Sequence, residues 1–223
     1  MSARNESPNE PVVVIGLGRF GGTLAEALSR LGHDVLGIDE NMKTVQEYSS
    51  RLDHVAQADS TDEDALRQLG VADFRRAVVG IGSDIEASIL TVVALRDIGV
   101  GEIWAKAVTG KHGKILASVG AHHVVHPEAA MGERTAHLIT SKMIDFIEFE
   151  DHFAIAKTRA PQEAVGKTLA EAALRSRYGV TVVGVKTRGE DFVHAQPDTV
   201  VPAGSLLIVS GTTVQVERFA AAT

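Results

Sequence analysis

The segment VVVIGLGRFGG, from Val12 to Gly22, decides the fold of this chain. Its β-branched residues predict a strand, which runs into a Gly-x-Gly-x-x-Gly loop formed by Gly16, Gly18 and Gly21. The leucines that follow recur at helical spacing, so the loop opens a helix. This order is typical of a dinucleotide-binding unit: the first glycine permits a tight turn, the second lets the backbone approach a pyrophosphate, and the third lets the helix pack against the sheet. The N–H groups at the helix N-terminus would then bind the phosphates.

Composition limits the classes of protein that need to be considered. With 223 residues, of which 44% are hydrophobic, the chain can bury the core of one large domain or of a domain with a smaller module. Its net charge of -7 argues against a nucleic-acid partner, which clustered Lys and Arg would attract. The absence of cysteine excludes disulfides, thiolate nucleophiles and Cys-ligated metal centres. The polar residues 1–10 resemble neither a signal peptide nor a spanning helix, so we expect them to be disordered and the protein to be cytoplasmic.

Six short apolar segments alternate with helical patterns between Val12 and His126. This alternation predicts an α/β fold with a Rossmann-like, doubly wound parallel sheet. The segment Ser60–Glu63 fits a Ser-x-x-Glu capping box and predicts the start of the third helix, and another helix is predicted from Glu86 to Asp97. The predicted strands are Val12–Ile15, Asp34–Ile38, His54–Ala58, Ala77–Ile81, Glu102–Ala107 and His123–Val125.

The pattern changes after Pro127. Residues 131–149 are predicted to form one long connecting helix, because apolar residues fall on one face at helical spacing: Leu138, Ile139, Met143 and Phe146. The predicted organisation is a nucleotide-binding domain over residues 11–130, this crossover helix, and a small α+β domain over residues 150–223. The small domain is expected to contain one helix, Leu169–Arg175, a hairpin turn at Thr187–Asp191, and strands near Ala154–Lys157, Val180–Lys186, Phe192–His194 and Leu206–Val209.

Ligands of open α/β sheets bind at the carboxyl ends of the strands. Asp39 ends the second strand about 20 residues past the loop, where a carboxylate accepts hydrogen bonds from both ribose hydroxyls and repels a 2′-phosphate. This favours NAD or an adenosine nucleotide over NADP, although Asp39 is also placed to cap the next helix. The other candidate nucleotide-binding residues at the ends of the strands are Glu40, Asp59, Ser60, Ile81, Gly82, Lys106 and Glu128.

Simpler roles stay open for several of these residues: a solvated charge for Lys106, helix capping for Asp59 and Ser60, and a helix-dipole interaction for Glu128. A second phosphate-binding pattern, Gly-Lys-Thr at residues 166–168, is rejected because a P-loop needs a glycine where Pro161 stands. Its Lys and Thr are expected to begin a helix.

Several motifs together resemble the RCK family, also called KTN, of regulatory subunits of Ktr- and Trk-type potassium uptake systems, and the Ktr type in particular. The motifs are VIGLGRFGG, GHDVLGID, AVVGIG, IWAKA and HPEAAMG. The resemblance covers the chain from Val12 to about Phe219 and implies a Rossmann-like domain followed by a TrkA-C-like domain. The segment "ADST" at residues 58–61 departs from the Asn-Ala-Thr or Asp-Ala-Thr of many members, which puts the contacts of Asp59 and Ser60 in doubt.

The resemblance implies ATP and ADP as ligands, with NAD or NADH competing for the same crevice. It implies that Arg19 reaches the γ-phosphate bound in the neighbouring subunit, and that Glu128 lies near the phosphates and helps hold a divalent cation, Mg²⁺ or Ca²⁺, at the dimer interface. We expect Phe20 to support packing beside the nucleotide. Family members form dimers that assemble into an octameric ring on a membrane channel. Some bind cyclic di-AMP between carboxyl-terminal domains, where Arg175 would lie, but no residue pattern here is specific for that ligand.

The alternative function is that of an NAD-dependent oxidoreductase. Such an enzyme needs a proton-transfer residue that faces the nicotinamide, and the small carboxyl-terminal domain offers no evident catalytic pair. The sequence therefore favours a regulator without catalytic residues. A Trk-type subunit is a third possibility, but Trk-type chains often carry this unit twice, whereas this chain carries it once.

Overall fold

The computed structural model describes residues 10–223. The chain forms two compact units, and the boundary between them along the sequence lies between Pro127 and Glu128. The predicted disorder of residues 1–10 falls, for residues 1–9, outside the described part of the chain. Glu10, the last of these residues, forms ion pairs with Arg75 and Arg76.

The first unit is built on a parallel sheet of six strands, which confirms the predicted Rossmann-like fold. Each strand pairs in parallel with its neighbours in the order β3-β2-β1-β4-β5-β6, so β1 lies in the middle. The strands are β1 (Val12–Ile15), β2 (Val35–Asp39), β3 (His54–Gln57), β4 (Arg76–Val79), β5 (Glu102–Lys106) and β6 (His123–Val125).

Helices cover both faces of this sheet. They are α1 (Arg19–Arg30), α2 (Met42–Tyr48), α3 (Glu63–Gln68), α4 (Ile85–Asp97) and α5 (Gly110–Val119). Alternate residues of β1 belong to different cores, with Val13 packing in one cluster and Val14 in the other. A strand buried on both faces reads as an unbroken apolar run, which is why the opening segment of the sequence is so informative.

The predicted capping box at Ser60 is wrong. Helix α3 begins two residues later than that pattern implies, and its N-cap is Asp62, whose carboxylate accepts hydrogen bonds from the backbone N–H groups of Asp64 and Ala65. Ser60 is buried instead, and its hydroxyl lies 2.8 Å from that of Thr91 on α4. Aspartate is at least as good an N-cap as serine. The sequence therefore offers two possible N-caps, Ser60 and Asp62, and the helix uses the second.

The second unit contains an antiparallel sheet in the order β10-β9-β11-β8-β7 and helices that pack around it. Met143, Phe146, Leu207 and Phe219 belong to its core. The elements are α6 (Pro127–Thr140), β7 (Asp145–Glu148), β8 (Phe153–Arg159), α7 (Leu169–Ala172), α8 (Leu174–Tyr178), β9 (Thr181–Lys186), β10 (Phe192–His194), β11 (Leu206–Thr212) and α9 (Thr213–Ala221).

The prediction of one helix through residue 149 is wrong, because α6 ends at Thr140 and the chain then forms β7. The hydroxyl of Ser141 donates to the carbonyl of His137 and accepts from the N–H of Met143, so it satisfies backbone groups that a further helical turn would have used. Phe146 is buried and Ile147 is 53% exposed, which is the alternation of a strand with one covered face.

Two helices of the second unit differ from expectation. The predicted helix Leu169–Arg175 is divided into α7 and α8 at Ala173, which adopts a left-handed conformation with φ 49°. Lys167 and Thr168 were expected to begin a helix; Thr168 is its N-cap, with a full capping box, and the helix itself begins at Leu169. Helix α9 was not predicted, although Thr212 and Gln215 form a second capping box that the sequence pattern Thr-x-x-Gln could have revealed.

Candidate functional site

The glycine loop joins β1 to α1 at the carboxyl edge of the parallel sheet. Gly16 has φ +85°, a left-handed conformation that glycine adopts without strain, and its N–H donates to the carbonyl of Ile38 at 2.7 Å. A Cβ on Gly21 would lie 2.0 Å from the carbonyl oxygen of Gly16. The helix can therefore begin this close to the turn only because residue 21 has no side chain.

The end of β4 packs against the same turn. A Cβ on Gly80 would lie 2.9 Å from the carbonyl oxygen of Gly16 and 3.1 Å from the Cα of Gly21, and the side chain of Ile81 borders Gly16. The structure thus brings the predicted residues Gly16, Gly21 and Ile81 together. It adds Gly80, which the sequence analysis missed even though it lies in the motif AVVGIG.

The N-terminus of α1 is open to solvent. Its N-cap is Gly18, which has no side chain with which to cap the helix, and a Cβ added there would meet no atom of the described residues within 4 Å. Arg19 follows as an exposed side chain at the first helical position, with Phe20 half-buried beside it. Backbone N–H groups directed at open space, at the positive end of a helix dipole, form a binding site for phosphate.

Asp39 connects the glycine loop to the end of β2. Its Oδ2 accepts a hydrogen bond from the N–H of Leu17 at 2.8 Å, and its Oδ1 accepts from the N–H of Asn41 at 2.9 Å. The N-cap of α2 is Asn41 and not Asp39. Each carboxylate oxygen has a second lone pair, so Asp39 can position the loop and still accept hydrogen bonds from a ribose.

A second group of predicted residues meets at the end of β5. The Nζ of Lys106 lies 5.7 Å from the centroid of the Phe20 ring, within the range of a cation–π interaction. The same Nζ would lie 3.2 Å from a Cβ placed on Gly82. Phe20, Gly82 and Lys106 therefore form one side of the crevice, with a cation next to the N-terminus of α1.

Asp59 and Ser60 both form hydrogen bonds within the protein. The carboxylate of Asp59 accepts from both the N–H and the hydroxyl of Thr61, and these two bonds lower the pKa of Asp59. Ser60 is bonded to Thr91 as described above. These contacts agree with the departure of "ADST" from the family pattern, and a role for either residue in nucleotide binding stays a prediction.

The two remaining predicted residues, Glu40 and Glu128, belong to different units. Glu40 is exposed, and its carbonyl accepts a hydrogen bond from the side chain of Gln57 at the end of β3. Glu128 is exposed in the first turn of α6 and belongs to the second unit. Its proposed role at the phosphates and at a divalent cation stays a prediction. Within residues 10–223, no three His, Asp or Glu side chains are grouped closely enough to hold a metal ion.

Comparison with known proteins identifies the family. Residues 12–127 match the TrkA-N domain and residues 155–223 match the TrkA-C domain. Ktr system potassium uptake protein C of Bacillus subtilis is 37% identical over 207 residues, which cover 92% of this chain and 94% of that protein. The chain belongs to the RCK family, among its Ktr-type members. The resemblance inferred from the glycine loop and HPEAAMG is thereby confirmed.

Other members of the family show the same full-length similarity. Ktr system potassium uptake protein A of Bacillus subtilis is 32% identical over 212 residues, covering 95% of this chain and 96% of that protein. The protein of the same name from Vibrio alginolyticus is 33% identical over 201 residues, covering 89% of this chain and 90% of that protein.

Solved RCK structures share the fold. The RCK domain of GsuK has a TM-score of 0.66 at 22% identity and covers 97% of this chain, while this chain spans 48% of that chain. A structure of the GsuK channel bound to NAD has a TM-score of 0.65 at 22% identity and covers 96% of this chain, which spans 39% of that one. The chain thus corresponds to about half or less of these larger proteins.

Proposed function

We propose that this chain is the nucleotide-sensing regulatory subunit of a Ktr-type potassium uptake system. One observation carries the proposal: the open N-terminus of α1 at Gly18 lies next to a loop that Asp39 holds through Leu17. A phosphate group would bind the backbone N–H groups, and the ribose of the same molecule would bind the carboxylate. The NAD named in one GsuK structure and the ADP named in another support a nucleotide as the ligand.

The proposed effectors are ATP and ADP, with NAD or NADH as competitors for the crevice. Arg19 is exposed at the first turn of α1, beside the phosphate site, so it is available to a third phosphate bound by a neighbouring subunit. A guanidinium forms a charge-assisted hydrogen bond that only the triphosphate can complete. A nucleotide that binds one shape of the assembly more tightly shifts the assembly toward that shape.

The protein that this chain regulates would be a membrane protein. No helix within the described residues 10–223 is both long and apolar enough to span a bilayer. The relatives are named as proteins of potassium uptake systems, so the proposed partner is an integral membrane potassium channel or transporter subunit. We propose that this chain is cytoplasmic, forms dimers that assemble into an octameric ring, and gates that subunit through a change in the shape of the ring. A divalent cation held by Glu128 between protomers would add to the active state.

Thermal unfolding in the presence of nucleotides tests the proposal. The assembled protein, its Arg19→Ala variant and a matched control, Arg30→Ala, at the other end of α1, are heated with ATP, ADP, NAD or NADH, with and without Mg²⁺. We expect ADP to raise the Tm of all three proteins. ATP should raise the Tm of the wild type and of Arg30→Ala further, which corresponds to about 1–3 kcal/mol of additional stabilisation, but it should give Arg19→Ala no more than ADP does. Stabilisation by dinucleotide alone, or turnover of NADH, would contradict the regulator and favour the oxidoreductase.

A further inference from the structure

A histidine in the second unit lies between two carboxylates from different elements. His137 is on α6, and its Nδ1 lies 2.9 Å from Oε1 of Glu217 on α9. Its Nε2 lies 3.9 Å from Oε2 of Glu148 on β7. The ring packs 4.3 Å from the ring of Phe146, measured between centroids. One imidazole therefore contacts both the helix and the strand that pack beside the C-terminal half of α6.

The position of the proton follows from the chemistry of the partners. An ionised carboxylate only accepts hydrogen bonds, so Nδ1 of His137 carries the hydrogen that Glu217 accepts. In the neutral ring Nε2 then carries a lone pair and no hydrogen. It faces an oxygen of Glu148, which is also an acceptor. Protonation of Nε2 converts this contact from two opposed acceptors into an ion pair at 3.9 Å.

Other charged and polar groups face the imidazole or its carboxylate partners. Glu148 also accepts a hydrogen bond from the hydroxyl of Thr213 at 2.9 Å and lies 3.7 Å from Nδ1 of His152. One turn before His137 on α6, the cation of Arg134 is paired with Asp145. The side chain of His137 is only 27% exposed, so its attraction to two carboxylates is screened less than that of a fully solvated pair.

We propose that His137 is a proton-sensitive latch that fastens α6 to β7 and α9. When the imidazole takes up a proton from solvent, it has a charge-assisted hydrogen bond to Glu217 and an ion pair with Glu148; when it releases that proton, only the hydrogen bond to Glu217 remains. Histidine is the side chain whose charge ordinarily responds to pH in the physiological range, and here the charge decides whether the contact with Glu148 is attractive. This inference concerns the second unit alone and does not depend on nucleotide binding.

Hydrogen exchange of the assembled protein tests the latch. Protection factors for the amides of residues 132–140, corrected for intrinsic exchange, are measured at pH 5.5 and at pH 8. We expect the wild type to lose about three- to fivefold in protection between the two conditions, which is the range of one partly exposed ion pair. In the variant His137→Gln the glutamine side chain can still donate a hydrogen bond to Glu217 but cannot be charged. Protection of residues 132–140 in this variant should therefore not change with pH.

A second variant and a control separate the latch from general stability. Glu148→Gln leaves the bond to Glu217 intact and removes the second charged partner, so the pH dependence should fall to near that of His137→Gln. The control is His123→Gln, because His123 also contacts a glutamate, Glu102 at 3.2 Å, but lies in the first unit. It should leave the α6 response unchanged. An undiminished pH response in both His137→Gln and Glu148→Gln overturns the proposal, as does a response in the wild type that EDTA abolishes, which would indicate a bound metal ion.

Discussion

The two units of this protein use different chemistry at their key contacts. In the first, backbone groups shape the glycine loop: the carbonyl of Gly16 packs on Gly21, and the N–H of Leu17 donates to the carboxylate of Asp39. In the second, side-chain charges join the elements, as Arg134 does with Asp145 and His137 with its two carboxylates. A contact between two backbone groups, such as that of Gly16 with Gly21, is sensitive to the volume of one methyl group and insensitive to pH. A contact between ionisable side chains is expected to tolerate small changes of volume and to respond to pH.

The largest effect is expected from Gly21→Ala. Its Cβ would lie 2.0 Å from the carbonyl oxygen of Gly16, and neither backbone group can move without shifting β1 or α1. We expect the free energy of unfolding to fall by about 3 kcal/mol or more, measured by urea denaturation.

The control for this variant is Gly18→Ala, in the same loop. Gly18 has φ -67°, which alanine adopts readily, and a Cβ there meets open space. Its stability should remain within about 1 kcal/mol of the wild type. Equal destabilisation by the two substitutions would contradict the close packing assigned to residue 21.

A smaller loss is expected from Ser60→Ala. The change leaves the buried hydroxyl of Thr91 without its partner at 2.8 Å, which should cost about 1–2 kcal/mol of unfolding free energy. Nucleotide affinity, measured by calorimetry, should be unchanged because the hydroxyl of Ser60 is directed at α4. A selective loss of affinity at unchanged stability would show that Ser60 belongs to the binding site after all.

Asp39→Asn tests the link between loop and ribose. Asparagine retains one acceptor oxygen, so one of the N–H groups of Leu17 and Asn41 would face an NH2 group. We expect about 1 kcal/mol of destabilisation, together with weaker rejection of NADP relative to NAD in competition binding. Retained discrimination against NADP would show that another group reads the ribose.

The smallest effect, and the one that distinguishes the units, is expected from Asp145→Asn. The guanidinium of Arg134 holds the pKa of Asp145 below its usual value. Because the folded-state pKa is depressed, the pair stabilises the protein above the unfolded pKa near 4, and this contribution is lost as the pH falls through the folded pKa. Both side chains are about half exposed, so at pH 7 the variant should lose less than about 1 kcal/mol. The difference from wild type should vanish below pH 3, and a constant difference would exclude the charge as its cause.

The sequence predicted the first unit better than the second. Val12–Ile15 is buried along its whole length, reads as an unbroken apolar run and matches in both limits, and His123–Val125 also matches. In the second unit Phe192–His194 matches in both limits, but one predicted helix continued into a strand and helix α9 was not predicted. The end of α6 and the start of β7 could not be predicted from periodicity. Met143 and Phe146 do share one core, but Met143 reaches it from the segment between α6 and β7, and Phe146 reaches it from β7. Ile139, expected on the same apolar face, is 78% exposed.

The candidate site shows the same limit. The glycine positions and Asp39 follow from local pattern, since each is required by the turn or by the end of a strand. The choice between Ser60 and Asp62 as N-cap, and the bond from Ser60 to Thr91, depend on packing between elements that lie far apart in the chain. The role of Gly80 likewise depends on the approach of β4 to the turn after β1.

Calorimetric titration of ADP into the wild type and into Gly18→Ala tests most directly whether the N-terminus of α1 is the phosphate site. We expect saturable binding of about one nucleotide per chain to the wild type. We expect binding to Gly18→Ala to be at least about tenfold weaker, roughly 1.4 kcal/mol, while its stability without nucleotide stays within about 1 kcal/mol of the wild type. Equal affinity in the two proteins, or no binding of any adenine nucleotide to the wild type, would contradict the assignment of the α1 N-terminus as the phosphate site.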